Sequence, residues 1–140
     1  MQNIRGSDLP TPMALSFLGD AVHSLLVREM LVARGIGKSG ALNEQARLYV
    51  TAEAQAQGAL RVLPHLTEEE RDLYRRAHNS SHLNKPKHAS GSDYRAATGF
   101  EAVLGALWHL GEVGRARELF AISIEETQHN EIQDKDGQEQ

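Results

Sequence analysis

No cysteine occurs in the 140 residues. Disulfides, thiolate zinc sites and a cysteine nucleophile are therefore excluded, and the composition agrees with a reducing compartment. No apolar run approaches the roughly 18 residues that a membrane span needs, and Met1 to Pro10 hold no apolar signal core. The expectation is a soluble, cytoplasmic protein with no membrane partner. Period-two alternation is missing, so nothing signals a strand, and there is no internal repeat. The seven histidines come without an HExxH motif or a His-Asp pair, which argues against a histidine metal site. His78 and His82 have i, i+4 spacing but fall in a predicted loop, while His23 and His109 read as ordinary surface or partly buried residues. A chain of this length is expected to form one domain that buries roughly two thirds of the surface its unfolded state exposes.

What the chain does have is helical signal. Alanine and leucine are frequent, and glycine and proline fall at boundaries, which predicts an all-α fold. Thr11-Pro12 reads as a cap followed by proline in the first turn, and Leu15, Leu18, Val22, Leu25 and Leu26 carry a helix to about Gly35. After a turn at Gly37 to Gly40, a second helical stretch starts near Ala41. Thr51 interrupts it and can cap Ala52 to Val62, either as a kink or as a break. Pro64 ends that segment. Thr67 and Glu70 have the spacing of a capping box for a helix to about Ala77. His78 to Gly91 is polar, contains Pro86 and is predicted to be a long loop. Ser92 can cap a helix that buries Phe100, Val103, Leu104, Leu107 and Trp108 and ends near Gly111. A last helix, Arg115 to Gln128, packs Leu119, Phe120, Ile122 and Ile124. Residues 1–10 are then an N-terminal lead, 11–128 the domain, and 129–140 an acidic tail expected to be disordered.

Two carboxylates stand out because each lies inside an apolar, glycine-bearing helical segment: Asp20 in Phe17-Leu18-Gly19-Asp20-Ala21-Val22, and Glu101 in Gly99-Phe100-Glu101-Ala102-Val103-Leu104-Gly105. Asp and Gly are both poor interior helix formers, and no helix end is near enough to favour them at positions 19 and 20. Glycine is favoured there if another backbone or a ligand approaches closely. Two such acids brought together would repel by about 4 kcal/mol at 4 Å and an effective dielectric near 20, and a divalent cation reverses that sign. The pair suggests a magnesium-type site.

Charge is unevenly spread behind the net of -4. Glu125, Glu126, Glu131, Asp134, Asp136 and Glu139 face only Lys135 at the C-terminal end. Arg71, Arg75, Arg76, Lys85, Lys87 and Arg95 outweigh Asp72 and Asp93 between residues 71 and 95, with His78, His82 and His88 in addition. A local basic stretch of this kind is the electrostatic footprint of phosphate contact.

Leu15-Ser16-Phe17-Leu18-Gly19-Asp20-Ala21-Val22 resembles the ribonuclease III signature, and Phe100-Glu101-Ala102-Val103-Leu104-Gly105-Ala106-Leu107 resembles that family's second acidic helix. Between them, Tyr49 to Ala56, Tyr74 to Asn79, Lys85-Pro86-Lys87 and Tyr94 to Glu101 are similar to the Mini-ribonuclease III branch. The matches run in order over about residues 11 to 120. Where full-length members carry two further acids, this chain has Ser16 and Thr98, as the Mini branch does, so fewer direct metal ligands are available. As in that branch, no separate double-stranded-RNA-binding domain is expected, so the catalytic domain itself is expected to hold the RNA.

The resemblance implies a homodimeric ribonuclease III endonuclease-domain fold. It also implies a Mg²⁺-dependent endoribonuclease, with Mn²⁺ as a substitute, that hydrolyses phosphodiesters in double-stranded RNA and leaves 5′-phosphate and 3′-hydroxyl ends. Asp20 and Glu101 would be the catalytic and metal-binding residues. Phe17 takes the position of the dimer-interface anchor; an ordinary core phenylalanine is the alternative. Duplex RNA is read by shape through phosphates and 2′-hydroxyls, and Arg75, Arg76, His78, Asn79, Lys85, Lys87, His88 and Arg95 are the candidate RNA-binding residues. The implied substrate is a large-subunit (23S) ribosomal RNA precursor in ribosome biogenesis, with a ribosomal protein as a further partner. The rival reading is a catalytically silent ribonuclease III-like scaffold that binds RNA or the ribosome.

Overall fold

The computed structural model describes residues 9–80 and 90–138, with side chains through residue 125. Within them the chain forms α1 (Pro12–Ala33), α2 (Ser39–Val50), α3 (Ala52–Val62), a 3₁₀ turn (Leu63–His65), α4 (Glu68–Ser80), α5 (Gly91–His109) and α6 (Val113–Gln138). No strand occurs among the described residues, so the fold is all-α as the composition predicts.

Local chemistry sets most helix ends. Thr11 caps α1 by accepting from the Ala14 amide at 3.2 Å, with Pro12 in the first turn. At the other end Gly35 takes φ +83°, donates to the Val32 carbonyl, and lets Ile36 donate to the Leu31 carbonyl. Gly111, at φ +78°, closes α5 the same way, through Gly111 to Trp108 and Glu112 to Leu107. These paired bonds satisfy carbonyls that a helix end leaves open, and a positive φ costs glycine little.

Thr51 breaks the second helical stretch rather than kinking it. Its extended backbone (φ -67°, ψ 155°) ends α2, and its hydroxyl accepts from the Ala54 amide to begin α3. The Thr67–Glu70 capping box forms as its spacing predicts, with Thr67 N donating to Glu70 Oε1 at 2.8 Å and Glu70 N donating to Thr67 Oγ1 at 3.2 Å. Arg115 of α6 completes this motif. It pairs with the fully buried Glu70 carboxylate at 2.8 Å and donates to the His65 carbonyl at 2.7 Å. Burial pushes the Glu70 pKa up, but the Arg115 and Thr67 hydrogen bonds outweigh it and hold the carboxyl below its usual range.

Three boundaries differ from expectation. α4 continues through His78 and Asn79 to Ser80, because no glycine or proline interrupts Arg75-Arg76-Ala77-His78-Asn79-Ser80. α5 is capped by Ser90, whose hydroxyl accepts from the Asp93 amide at 3.0 Å, and not by Ser92. α6 runs to Gln138, past the end expected near Gln128, through Glu, Gln and Lys, which favour helix.

The core gathers around α5. From Ala97 to Leu107 every residue is buried except Glu101, so the helix is enclosed by its neighbours and opens at a single carboxylate. Leu15, Val22, Leu26, Val27 and Leu31 of α1, Ala59 and Val62 of α3, Leu73 and Ala77 of α4, and Leu119, Phe120 and Ile124 of α6 close around it. Leu25, among the apolar residues expected to carry α1, is exposed.

Candidate active site

Two glycines make the site by letting α1 and α5 touch backbone to backbone. A Cβ on Gly19 would collide with the Glu101 carbonyl, and one on Gly105 would collide with the Leu15 carbonyl. The close approach that Gly19 suggested is therefore the neighbouring helix. It places Asp20, next along α1, beside Glu101.

The two carboxyls lie close enough to interact and both line an open cleft of about 400 Å³. Met13, Ser16, Phe17 and Asp20 of α1 form one wall, Val50, Ala52 and Gln55 at the α2–α3 joint another, and Tyr94, Ala97, Thr98 and Glu101 of α5 the third. Asp20 is exposed and Glu101 is half-buried. Burial first, and then the Asp20 hydrogen bond and charge, push the Glu101 pKa up to about 9. At neutral pH and without a cation, Glu101 thus keeps its proton.

That arrangement fits a hard divalent cation, whose charge would favour the ionised form of Glu101 beside Asp20. Among the described residues no group of three or more His, Cys, Asp or Glu comes together. Protein ligation would rest on Asp20 and Glu101 with water filling the other positions, an arrangement Mg²⁺ accepts readily. Ser16 and Thr98 line the same cleft, and the Thr98 hydroxyl spends its hydrogen on the Tyr94 carbonyl at 2.8 Å.

Phe17 is 84% exposed at the cleft mouth. It is not a core residue. The RNA-binding candidates among the described residues lie outside the cleft lining. Arg75 and Arg76 are exposed on α4, where both pair with Asp72 at 2.7 and 3.3 Å. His78 is half-buried, with its ring 5.9 Å from that of Tyr74, and Nδ1 is 3.4 Å from Asn79 Oδ1. Arg95 is exposed near the start of α5. α4 reaches α5 through Tyr74, whose ring would lie 2.7 Å from a Cβ on Gly99. Lys85, Lys87, His88 and His82 lie outside the described residues.

Sequence reasoning gave no role to Tyr94 and Gln55. Tyr94 follows from helical spacing, since Tyr94, Thr98 and Glu101 stand at i, i+4 and i+7 on one face of α5. His23, expected at the surface or partly buried, is 2% exposed between Phe100 and Phe120, its ring edge-on to both at 6.0 and 5.5 Å.

A six-helix domain whose central helix opens at one acid, paired with a second acid across a glycine crossing, has the architecture of a ribonuclease III domain, and residues 13–111 match that domain. The Mini-ribonuclease 3 of Brevibacillus brevis is 41% identical over 115 residues, covering 82% of this chain and 86% of its own. That of Thermoanaerobacter sp. (strain X514) is 39% identical over 115 residues, covering 82% and 81%. The crystal structure of protein FN1578 from Fusobacterium nucleatum superposes with a TM-score of 0.76 at 26% identity, covering 91% of this chain and 99% of that one. The chain belongs to the Mini-ribonuclease 3 branch of the ribonuclease III family, and is an endoribonuclease. No helix among the described residues is long and apolar enough to cross a membrane.

Proposed function

We propose that the chain is a Mg²⁺-dependent, homodimeric enzyme of the cytoplasm that cleaves double-stranded RNA to 5′-phosphate and 3′-hydroxyl ends, in the maturation of 23S ribosomal RNA precursors. The observation that carries this reading is the Asp20–Glu101 pair, two acids that a glycine crossing brings together in one open cleft. Mg²⁺, when bound, supplies a positive centre that acidifies water and offsets charge at a phosphate.

The chain's own part is to present carboxylate oxygens at one place and hold them there. The glycine crossing fixes the separation of α1 and α5. Burial keeps a proton on the Glu101 carboxyl in the resting protein, and ionisation of that group accompanies loading of the site. No side-chain nucleophile is required. Arg75, Arg76, His78, Asn79 and Arg95 on α4 and α5, with Lys85, Lys87 and His88, would meet the RNA phosphates, so affinity falls steeply with salt. Phe17 would seat in the second subunit, giving two clefts for two strands. Mn²⁺ offers similar oxygen-seeking chemistry.

The test is incubation of the purified chain with duplex RNA, with Mg²⁺ or with excess EDTA, followed by mapping of both strands. The expected result is cutting of both strands in Mg²⁺, none in EDTA, and recovery on restoring the metal. Binding of duplex without cutting, at every Mg²⁺ and Mn²⁺ concentration tried, would favour the silent scaffold.

A further inference from the structure

Two buried polar atoms lack a partner from the protein. Among the described residues they are His23 Nδ1 and Gln55 Oε1. His23 is 2% exposed and Gln55 6% exposed. Both residues line one small cavity, with Tyr49, Arg61, Phe100 and Ser123 also in its wall. Its volume is about 10 Å³, the room that roughly one water molecule occupies on this measure. Apolar cavities of this size stay dry, whereas a polar one with two or more unpaired groups holds water.

We infer that this cavity is a binding site for a single internal water that bridges His23 Nδ1 to Gln55 Oε1. The chemistry closes with either imidazole tautomer. The water donates one hydrogen to the Gln55 carbonyl oxygen, and it either accepts from a protonated Nδ1 or donates its other hydrogen to a bare one. When Nδ1 is protonated the water's second hydrogen is free for Ser123, whose hydroxyl donates to the Phe120 carbonyl at 2.6 Å and can still accept. Neutral imidazole suits the bridge, and burial holds the His23 pKa down to about 4.

The bridge has a structural consequence for the cleft. Gln55 faces both cavities, and its Nε2 donates to the Val50 carbonyl at 3.2 Å, at the break between α2 and α3. Val50 and Ala52 form the cleft wall opposite the acids. The water therefore ties that wall to α1 three residues beyond Asp20. This site stands independently of the RNA-cleaving reading, because it needs neither metal nor substrate.

The experiment is water-to-protein cross-relaxation NMR on the isotope-labelled full chain, beside His23→Phe and Gln55→Met. The expected wild-type result is a long-lived water signal on the His23 ring protons and the Gln55 side-chain amide, lost completely in either variant that folds. Absence of the signal in wild type overturns the proposal, and that readout requires no variant to fold. A wild-type signal that survives both substitutions also overturns it, since the water would then sit elsewhere.

Discussion

Burial holds His23 at a pKa of about 4, against the weaker pull of the Asp20 charge in the other direction. The unfolded chain, with the ordinary value of 6.5, binds more protons between pH 4 and 6.5, so stability falls as pH drops through that window. The loss is about 3 kcal/mol at 1.36 kcal/mol per pKa unit. Glu101 acts with the opposite sign. Its folded value of about 9 lies above the ordinary 4.5, so without a cation the folded chain binds more protons, and stability falls as pH rises from 4.5 to 9. Urea unfolding across pH 4.5 to 8 should show the two slopes opposing each other in the metal-free protein. Glu101→Gln should remove the alkaline loss and His23→Phe the acid loss. Curves of unchanged shape in both variants would contradict these assignments.

The crossing of α1 and α5 is the element on which the site depends. Gly19→Ala puts a methyl group into the Glu101 carbonyl, a backbone atom that cannot rotate away. Overpacking of this kind costs about 1–3 kcal/mol, and it also moves Asp20 from Glu101. The expected outcome is a lower urea midpoint together with a Glu101 pKa returning toward its ordinary value, read by carbon NMR of the carboxyl. A variant with wild-type stability and an unmoved Glu101 would refute the crossing as the cause. Much at this scale was legible because the signals are local: Thr11, Gly35, Thr51, the Thr67–Glu70 box and Gly111 each act within a few residues of the end they define. The acids were legible as misfits in apolar helices. What lay beyond reach depends on distant partners. Nothing near Glu70 announces Arg115, 45 residues away, and nothing near His23 announces Phe120 or Gln55. The helical extension through His78 and Asn79 was missed because polar residues that favour helix also populate loops.

Across the whole molecule, the largest unexplained exposure is Phe17, and Ala21, Leu25 and Val32 continue along the same side of α1. The proposed second copy, seated on Phe17, would account for an aromatic ring exposed beside the cleft. Burying a phenylalanine contributes about 1.5–3 kcal/mol, so Phe17→Ala should raise the dimer dissociation constant by about tenfold or more. Analytical ultracentrifugation over a concentration series reads this directly, and an unchanged constant would remove Phe17 as the anchor. The acidic and basic stretches remain apart in sequence, which lets a chain of net charge -4 present positive charge locally on α4 and α5.

In the proposed reading Asp20 and Glu101 act together as the cutting centre. Single-turnover cleavage of a duplex RNA in saturating Mg²⁺ tests it, with wild type, Asp20→Asn and Glu101→Gln compared beside their RNA affinities. The prediction is that both variants lose cleavage by orders of magnitude while binding duplex as wild type does. Near-wild-type cleavage by either one would place the chemistry elsewhere in the molecule.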